Sequence, residues 1–297
     1  MAESDTTHRS GFVVLVGRPN VGKSTLLNRL LGQKVAIVTP KPQTTRSRIR
    51  GILTLPEAQI VLVDTPGLHE AKTLINRRMM QVAEEAMGEA DVILWLVDAT
   101  EGVTNEDRQI AARLQRFRDC LAVALNKIDC IKPNAMIPIL AELDQLLPGV
   151  DVIPISAAEG GNIAELLRVV VGKLPPGPRL YDPETFTDQT ERALVQEVIR
   201  EQVLLQTRQE VPYAVAVTVE SFEEKKNVVV IHATIHVERE SQKPIVIGKG
   251  GSRIKSIGQS AREQIEQMLG KKVYLQLFVR VQEDWTKDPR RLREFGL

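Results

Sequence analysis

Apolar runs alternate with amphipathic stretches along the first half of the chain. Runs typical of strands buried on both faces occur at Phe12–Val16, Gln59–Val63, Asp91–Asp98, Cys120–Leu125 and Val152–Ile155. Apolar residues recur at helical spacing in Thr25–Leu31, Ile75–Ala90 and Asn162–Leu174. A further strand, Ile49–Leu55, precedes the Gln59 run and forms a predicted hairpin with it. This alternation predicts an α/β domain with a mostly parallel sheet and helices on both faces.

The pattern changes after Leu174–Pro183, a proline-rich segment that predicts a semi-extended linker. Beyond it the pattern predicts an α-β-β-α-α-β order, with a first helix, two strands joined by a charged turn, two further helical stretches and a last strand. Their ranges are Glu191–Arg208, Tyr213–Glu220, Val228–Val237, a helix ending at Leu269, and Val273–Val281. Since 297 residues suffice for about two domains, we predict domains over 1–175 and 191–284. Residues 176–190 would be the linker, and 285–297 a tail that packs back or stays mobile.

A glycine-bounded loop separates the first predicted strand from the first predicted helix, as a phosphate-binding loop requires. We assign to a nucleotide Gly17, Arg18, Pro19, Asn20, Val21, Gly22, Lys23, Ser24 and Thr25. Backbone N–H groups of such a loop surround a β-phosphate at the positive end of a helix. We expect Lys23 to place its charge against the β- and γ-phosphates and the Ser24 hydroxyl to bind Mg²⁺.

The polar segment Thr39–Arg46 predicts a loop that is ordered by a γ-phosphate through a threonine hydroxyl on Mg²⁺. We prefer Thr45 as that ligand, with Thr44 as the alternative. Asp64 follows a strand, where its carboxylate can hold a Mg²⁺-bound water. The metal ligands are therefore predicted to be Ser24, Thr45 and Asp64.

The segment after Asp64 completes the predicted phosphate site with Thr65, Pro66, Gly67 and Leu68. Gly67 lets a backbone N–H approach the γ-phosphate, so we group it with Lys23 and Thr45 as catalytic. Many GTPases have a glutamine at the position of Leu68 to orient the attacking water, and leucine cannot do this. Either another group positions the water, with His69 and Glu70 as candidates, or hydrolysis is slow.

Base identity is predicted from Asn126, Lys127 and Asp129, which follow the fourth apolar run. Asp129 can accept hydrogen bonds from guanine N1–H and the 2-amino group, which adenine lacks at those positions. Ser156 and Ala157 follow the last strand, and a backbone N–H near Ala157 could donate to guanine O6. These residues predict selectivity for guanine nucleotides.

The second domain contains a Gly-x-x-Gly turn between aliphatic residues and an amphipathic helix, which is the signature of a KH domain. We assign to RNA Gly248, Lys249, Gly250, Gly251, Arg253 and Lys255. From 241 to 281 there are 8 Lys/Arg and 2 Asp/Glu, a local charge of 8 − 2 = +6. Such a concentration favours a surface that binds a nucleic-acid backbone.

Composition narrows the class of protein. The formal charge of +1 gives no nucleic-acid signature for the whole chain, so a basic surface must be local. We find neither a signal peptide in the polar first ten residues nor an apolar run long enough to span a membrane. Cys120 and Cys130 have no metal-ligand spacing, and we expect both to be buried free thiols of a reducing cytosol.

Together, the phosphate loop, Gln43–Arg46, Asp64–Gly67, Asn126–Asp129 and the Gly248–Gly251 turn resemble the Era family of bacterial GTPases with a C-terminal KH domain of type II order. The resemblance implies a monomeric GTP-hydrolysing switch that binds GTP and GDP. It also implies binding to 16S rRNA near its 3′ end and a role in maturation of the 30S subunit. Mg²⁺ is the implied cofactor, and Asn20 matches a position that helps hold K⁺ in related GTPases. The implied location is cytoplasmic, with peripheral contact at the inner face of the cell membrane left open.

We expect GTP to order Thr39–Arg46, to alter the contact between the domains and so to change RNA access. The alternative is a non-catalytic RNA chaperone or scaffold that uses guanine nucleotide for stability, which Leu68 leaves open. A tRNA-modifying GTPase relative is a third interpretation. The lack of a functional C-terminal cysteine and of an extra cofactor domain counts against it.

Overall fold

The computed structural model describes residues 8–41, 43–68, 73–207 and 211–297. His69 and Glu70, the candidates for positioning water, lie outside the described residues. The chain divides into two compact units. The first contains 1–36, 45–71 and 78–188, and the second contains 37–44, 72–77 and 189–297. The segment 37–44 therefore belongs with the C-terminal half of the chain, although both of its sequence neighbours belong to the first unit.

The first unit is built on a six-stranded sheet with the strand order β2-β3-β1-β4-β5-β6. Its strands are β1 (Arg9–Val16), β2 (Ile49–Thr54), β3 (Ala58–Asp64), β4 (Val92–Asp98), β5 (Leu121–Asn126) and β6 (Val152–Pro154). Its helices are α1 (Lys23–Leu31), α2 (Leu74–Gly88), α3 (Asn105–Leu114), α4 (Pro133–Leu146) and α5 (Ile163–Lys173), with the first turn of α2 in a segment that belongs to the second unit. Only the β2–β3 pair is antiparallel among these strands, which confirms the predicted hairpin and mostly parallel sheet.

Parallel register aligns the ends of the strands that carry the predicted site. Leu15 of β1 pairs with Asp64 of β3 and with Leu94 of β4, and Asp98 of β4 pairs with Asn126 of β5. The central strands are almost completely buried, which explains their unbroken apolar runs. The carboxyl ends of β1, β3, β4 and β5 consequently lie along one edge of the sheet, where such sheets bind ligands.

The second unit has a three-stranded sheet in the order β7-β8-β9. Its elements are α6 (Glu191–Gln206), β7 (Val215–Lys225), β8 (Val228–Val237), α7 (Lys243–Ile247), α8 (Ser252–Leu269), β9 (Val273–Val281) and α9 (Pro289–Glu294). β7 and β8 are antiparallel, whereas β8 and β9 are parallel. This confirms the predicted α-β-β-α-α-β order of a KH domain.

The predicted linker is bonded to the first unit, since the Leu180 N–H donates to Gln59 Oε1 (2.6 Å) and the Ile52 N–H to the Phe186 carbonyl (2.9 Å). Two sequence expectations need correction. The charged turn is shorter than predicted, since β7 continues to Lys225. Cys130 is exposed rather than buried, and Cys120 is half-buried. None of the helices in the described part of the chain is long and apolar enough to cross a membrane.

Candidate nucleotide and magnesium site

The phosphate loop joins β1 to α1 and is closed by its own lysine. Lys23 is 6% exposed, and its ammonium donates to the carbonyls of Gly17 (3.1 Å) and Arg18 (2.9 Å). Gly22 has φ 103°, and a Cβ there would lie 2.2 Å from Asn126 Nδ2. Only glycine fits at this position, which explains the glycine before Lys23.

Two buried groups of opposite charge dominate the electrostatics of this loop. Burial lowers the pKa of Lys23 to about 8, although the charge of Asp64 opposes that shift. Burial raises the pKa of the Asp64 carboxyl, against the opposing effects of Lys23 and of hydrogen bonds from Ser24 and Thr45. The phosphates of a bound triphosphate would balance the positive charge of Lys23, and a bound cation would balance the negative charge of Asp64.

The predicted metal ligands lie together. Ser24 Oγ donates to Asp64 Oδ2 (2.6 Å) and lies 3.1 Å from Thr45 Oγ1, which in turn lies 3.1 Å from the same Asp64 oxygen. Asp64 Oδ1 is buried and has no hydrogen-bond partner among the described residues. Two hydroxyls and a carboxylate with an unused oxygen are the hard oxygen donors that Mg²⁺ prefers, so these residues fit the ion.

Thr44, the alternative ligand, is engaged elsewhere. Its hydroxyl donates to the Lys41 carbonyl (2.7 Å) and lies 2.7 Å from Thr39 Oγ1. The geometry therefore favours Thr45.

The segment after Asp64 packs against the phosphate loop. The Leu68 N–H donates to the Gly17 carbonyl (3.0 Å), and a Cβ on Gly67 would lie 2.7 Å from the Pro19 nitrogen. The Thr65 hydroxyl donates to the Leu15 carbonyl (2.7 Å), and the Leu68 side chain lies in the hydrophobic core. The side chains of Thr65 and Leu68 are thus used internally, which leaves the backbone atoms of this segment for the predicted contact with the nucleotide.

The Arg18 side chain bonds outside the phosphate loop. Its Nε donates to Asp107 Oδ2 (2.9 Å) and its Nη1 to Glu101 Oε2 (2.7 Å). Asp107 is fully buried and completes a capping box with Thr104 at the start of α3. The guanidinium therefore attaches the phosphate loop to α3, and Arg18 contributes a backbone carbonyl to Lys23.

Asn126 connects the base site to the phosphate loop. Its Nδ2 donates to the Val21 carbonyl (2.8 Å), and its Oδ1 accepts the Ala157 N–H (2.9 Å). Because that N–H is committed to Asn126, the predicted donor to guanine O6 near Ala157 is a neighbouring backbone N–H. One side chain thereby fixes the spacing of three loops.

Asp129 presents its carboxylate at the surface, beside Ser156. Hydrogen bonds from Ser156 and then from the Cys130 thiol lower the pKa of Asp129, so it is ionised at neutral pH. Lys127 has φ 67°, and its ammonium donates to Asp98 Oδ2 (2.5 Å). Burial raises the pKa of Asp98, but the bonds from Lys127 and Thr100 outweigh it and the net shift is downward.

The predicted RNA-binding turn lies between α7 and α8. Gly248, Gly250 and Gly251 all have positive φ (75°, 58° and 78°). Lys249 and Lys255 are exposed, and among the described residues neither side chain is seen in a hydrogen bond or an ion pair. Arg253 instead donates to the Ile245 carbonyl, so it closes the turn as well as adding charge. The two lysines are the exposed cations of this site.

Comparison with known proteins agrees with this geometry. A family described as "50S ribosome-binding GTPase" matches residues 12–127, and a family described as "KH domain" matches residues 210–286. The chain is 48% identical over 289 residues to the GTPase Era of Geotalea uraniireducens, covering 97% of each chain. The chain belongs to the Era family of GTPases. It is 46% identical to the Geobacter metallireducens member over 295 residues, 99% of each chain.

Solved Era structures are similar over nearly the full length. One, a crystal structure of Era in complex with MgGDPNP and nucleotides 1506–1542 of 16S ribosomal RNA, has a TM-score of 0.95 and 42% identity, covering 97% of this chain and 99% of that one. A substituted Aquifex aeolicus Era bound to GDP and AlF₄⁻ has a TM-score of 0.94 and 41% identity, with the same coverage. This Era-family chain is therefore a GTPase, which converts GTP to GDP and phosphate.

Two residues of the Era site were missed by sequence reasoning. Asp98, at the end of β4, holds the Lys127 ammonium. Arg29 of α1 donates from its Nε to the Ala157 carbonyl (3.1 Å), and thus supports the loop after β6. An acidic residue directly after an apolar run was a signal for Asp98. No local signal marked Arg29, because its partner is far away in sequence.

Proposed function

We propose that this Era-family GTPase is a nucleotide-controlled switch that binds 16S rRNA near its 3′ end and acts in maturation of the 30S subunit. The RNA bound in the related complex supports the choice of partner. The glycine turn with Lys249 and Lys255 offers backbone N–H groups and charge for an RNA backbone. The Ser24, Thr45 and Asp64 cluster offers the nucleotide-dependent element.

One observation carries the proposal that the two activities are coupled. The segment 37–44 belongs to the second unit, in which α6 holds it at two points. The Val38 N–H donates to Glu201 Oε1 (2.9 Å), and Arg200 donates to the Thr44 carbonyl. Both α6 side chains are at least 96% buried, since Arg200 is 4% and Glu201 2% exposed. The next residue, Thr45, is a predicted metal ligand in the first unit.

A single peptide bond thus joins the part held by α6 to the part held by the nucleotide site. Thr45 can approach the metal only where the 37–44 segment allows it. GTP that draws Thr45 to the metal therefore acts on α6, and RNA that stabilises the second unit acts on Thr45. Such coupling must be reciprocal in binding free energy.

The chain's own residues perform the other steps. Mg²⁺ supplies charge that neutralises the β- and γ-phosphate oxygens when it is bound. Lys23 contributes its ammonium to the same oxygens, Gly67 allows a close N–H, and Asp129 selects guanine. Loss of the γ-phosphate removes the attraction on Thr45, and the segment is released. Because Leu68 is buried, the attacking water is oriented by another group or the intrinsic rate is low.

The test compares RNA affinity with a GTP analogue and with GDP, using the 1506–1542 segment of 16S rRNA as the probe. We expect RNA to bind more tightly to the protein loaded with the analogue than to the protein loaded with GDP. RNA should raise the ratio of analogue affinity to GDP affinity by the same factor. Identical values would remove the coupling. Glu201→Met deletes the acceptor for the Val38 N–H and should reduce the factor, whereas Glu201→Gln keeps a side-chain oxygen and should retain it. Turnover with and without RNA separates this switch from the scaffold alternative, which family membership disfavours.

We further propose that Asn20 helps to hold K⁺. Asn20 is an exposed residue of the phosphate loop with φ 64°, three residues before Lys23. Replacing K⁺ by Na⁺ should slow GTP hydrolysis in the unsubstituted protein but not in Asn20→Ala. Equal rates in the two salts would remove Asn20 from that role.

We propose a monomer that works in the cytoplasm on the 30S subunit, as the family resemblance implies. Cosedimentation with 30S subunits and with vesicles of bacterial lipid tests the subunit and the peripheral membrane contact separately. If the protein binds vesicles at the same salt concentration at which it binds subunits, both the 30S partner and the membrane contact are supported. Light scattering of the protein without partners tests whether it is a monomer.

A further inference from the structure

The outer face of the second unit's sheet carries two exposed aromatic rings. Alternate residues of β9 on the inner face, Leu275 and Leu277 among them, pack against the hydrophobic core. The opposite face carries Tyr274, which is 55% exposed, and Phe278, which is 48% exposed. The other large exposed hydrophobic side chains of the described chain are scattered and aliphatic apart from one phenylalanine: Val38, Ile137, Leu180, Phe186 and Leu205. Two aromatic rings on one strand face are therefore a distinct feature.

Among the described residues of the second unit, the tail packs against one end of this face. His236 on β8 pairs in register with Arg280 on β9, and its ring lies 4.7 Å from the ring of Phe295 in the tail. His236 is 5% exposed for that reason. At the other end, Tyr274 pairs with Val230, and the tail does not cover it. The aromatic rings thus stay in solvent although the tail has packed against the same sheet.

Polar groups beside the two rings suit a nucleic acid. Gln276 lies between the rings on the same face and can bond to base edges. Arg280, also exposed, lies two residues beyond Phe278 and can meet a phosphate. The exposed carboxylates of Glu220 and Glu223 belong to β7, at the far edge of the sheet, and β8 lies between them and the rings. On β9 itself the charged side chain is Arg280, a cation two residues from Phe278.

The face is continuous with the proposed RNA-binding turn. β9 is an edge strand, and α8, which begins directly after that turn, packs against its inner side. At Gly258 of α8 a Cβ would lie 3.5 Å from Leu277 Cδ1. A strand of RNA held by the turn can therefore pass over the free edge of β9 and reach the outer face.

We propose that Tyr274 and Phe278 form a second RNA site, a platform on which unpaired bases stack. Aromatic side chains on an open sheet stack bases with little regard to sequence, because every base has a flat face. Residues four apart on a strand are about 13 Å apart, so the rings serve two different bases rather than one. The inference rests on the proposed function, since the turn holds the backbone of the same RNA.

The test measures affinity for the 1506–1542 segment of 16S rRNA and for a series of its truncations, with the full chain loaded with a GTP analogue. Phe278→Ala and Tyr274→Ala should each weaken the long RNA about tenfold. They should leave unchanged those truncations that reach the turn alone. Phe278→Tyr and Tyr274→Phe keep the ring and should bind as the unsubstituted chain does. Leu205→Ala removes an exposed apolar side chain from the same unit and should also have no effect.

Abasic substitutions scanned along the RNA provide a second measurement. Removing the bases that stack on the rings should weaken the unsubstituted chain but not the alanine variants. Equal affinity of all variants for every RNA would overturn the inference, and loss of a copurifying protein in those variants would then assign the face to a protein partner. Failure of the unsubstituted chain to bind any RNA would instead contradict the proposed function.

Discussion

The hydroxyl of Thr45 lies 3.1 Å from the carboxylate of Asp64, although 37–44, directly before Thr45, belongs to the second unit. Thr45 therefore stands where the chain passes from one unit to the other. Because its hydroxyl shares Asp64 with Ser24, any force on the preceding segment is felt at the metal ligands. This relationship gives the proposed switch a physical basis.

Thr45→Val should lower kcat/KM for GTP roughly 10- to 100-fold, because it removes a proposed Mg²⁺ ligand that the remaining oxygens cannot replace. Raising the Mg²⁺ concentration should recover part of that activity. Thr44→Val is the matched control, since the Thr44 hydroxyl bonds to Lys41 and Thr39 instead. Steady-state kinetics across a Mg²⁺ titration distinguish the two. A larger effect at Thr44 would assign the ligand to that residue.

Asp129→Asn should weaken GTP binding by about 10- to 150-fold and should favour xanthosine triphosphate. The amide presents a donor where the carboxylate presented an acceptor, so the 2-amino group of guanine loses its partner and a 2-oxo group gains one. Competition between the three triphosphates GTP, XTP and ATP provides the measurement. Unchanged preference for GTP would exclude Asp129 from base recognition.

Nucleotide affinity should fall as the pH rises above about 8. Burial holds the pKa of Lys23 at about 8 in the free protein, and bound phosphates would keep the ammonium charged. Binding above that pH takes up a proton, so the Kd for GDP should rise roughly tenfold between pH 7 and pH 9. Lys23→Met should bind weakly, without this rise, and so supplies the baseline. A flat profile for both would contradict the assigned role of Lys23.

The same lysine affects stability in the opposite direction. An unfolded lysine keeps its proton up to about 10.5, so between about pH 8 and that value the unfolded chain binds more protons than the folded one. The unliganded fold should therefore gain stability from Lys23 as the pH rises through this window. Urea unfolding of the unliganded chain against Lys23→Met measures the contribution.

Asp107→Ala should destabilise the first unit by about 3 kcal/mol or more, because Arg18 would remain buried without its main partner. The substitution also removes the cap of α3. Glu101→Ala breaks the other Arg18 ion pair, but the Glu101 side chain is 56% exposed and the cost should be below about 1 kcal/mol. Urea unfolding followed by Trp95 fluorescence, in a Trp285→Phe background, reports on this unit. Equal losses of unfolding free energy for Asp107→Ala and Glu101→Ala would show that burial does not govern the strength of the two Arg18 ion pairs.

Much of the fold could be predicted because its signals are local. The apolar runs identified β1, β4 and β5, and the residues at their ends identified Lys23, Asp64 and Asn126. The Gly248–Gly251 turn was equally visible, since a positive φ restricts the choice of residue. The attachment of the linker to Gln59 was not visible, because its partners are more than a hundred residues apart.

The role of each side chain was harder to predict than the position of its motif in the fold. Three residues of the nucleotide-binding motifs have side chains that are used elsewhere. The Arg18 side chain bonds to α3, the Thr65 side chain bonds to β1, and the Leu68 side chain packs in the core. A motif specifies the backbone path, whereas the direction of each side chain depends on which neighbour packing supplies.

The sequence by itself determined the order of strands and helices, the phosphate loop, the residues proposed to read guanine and the glycine turn. These depend on the period of apolar residues and on the chemistry of adjacent positions. Only the tertiary structure decided that Thr45 rather than Thr44 joins Ser24 and Asp64, that α6 holds 37–44, and that Tyr274 and Phe278 remain exposed. Each of these depends on burial and distance between residues that are remote in the chain, which no local pattern encodes.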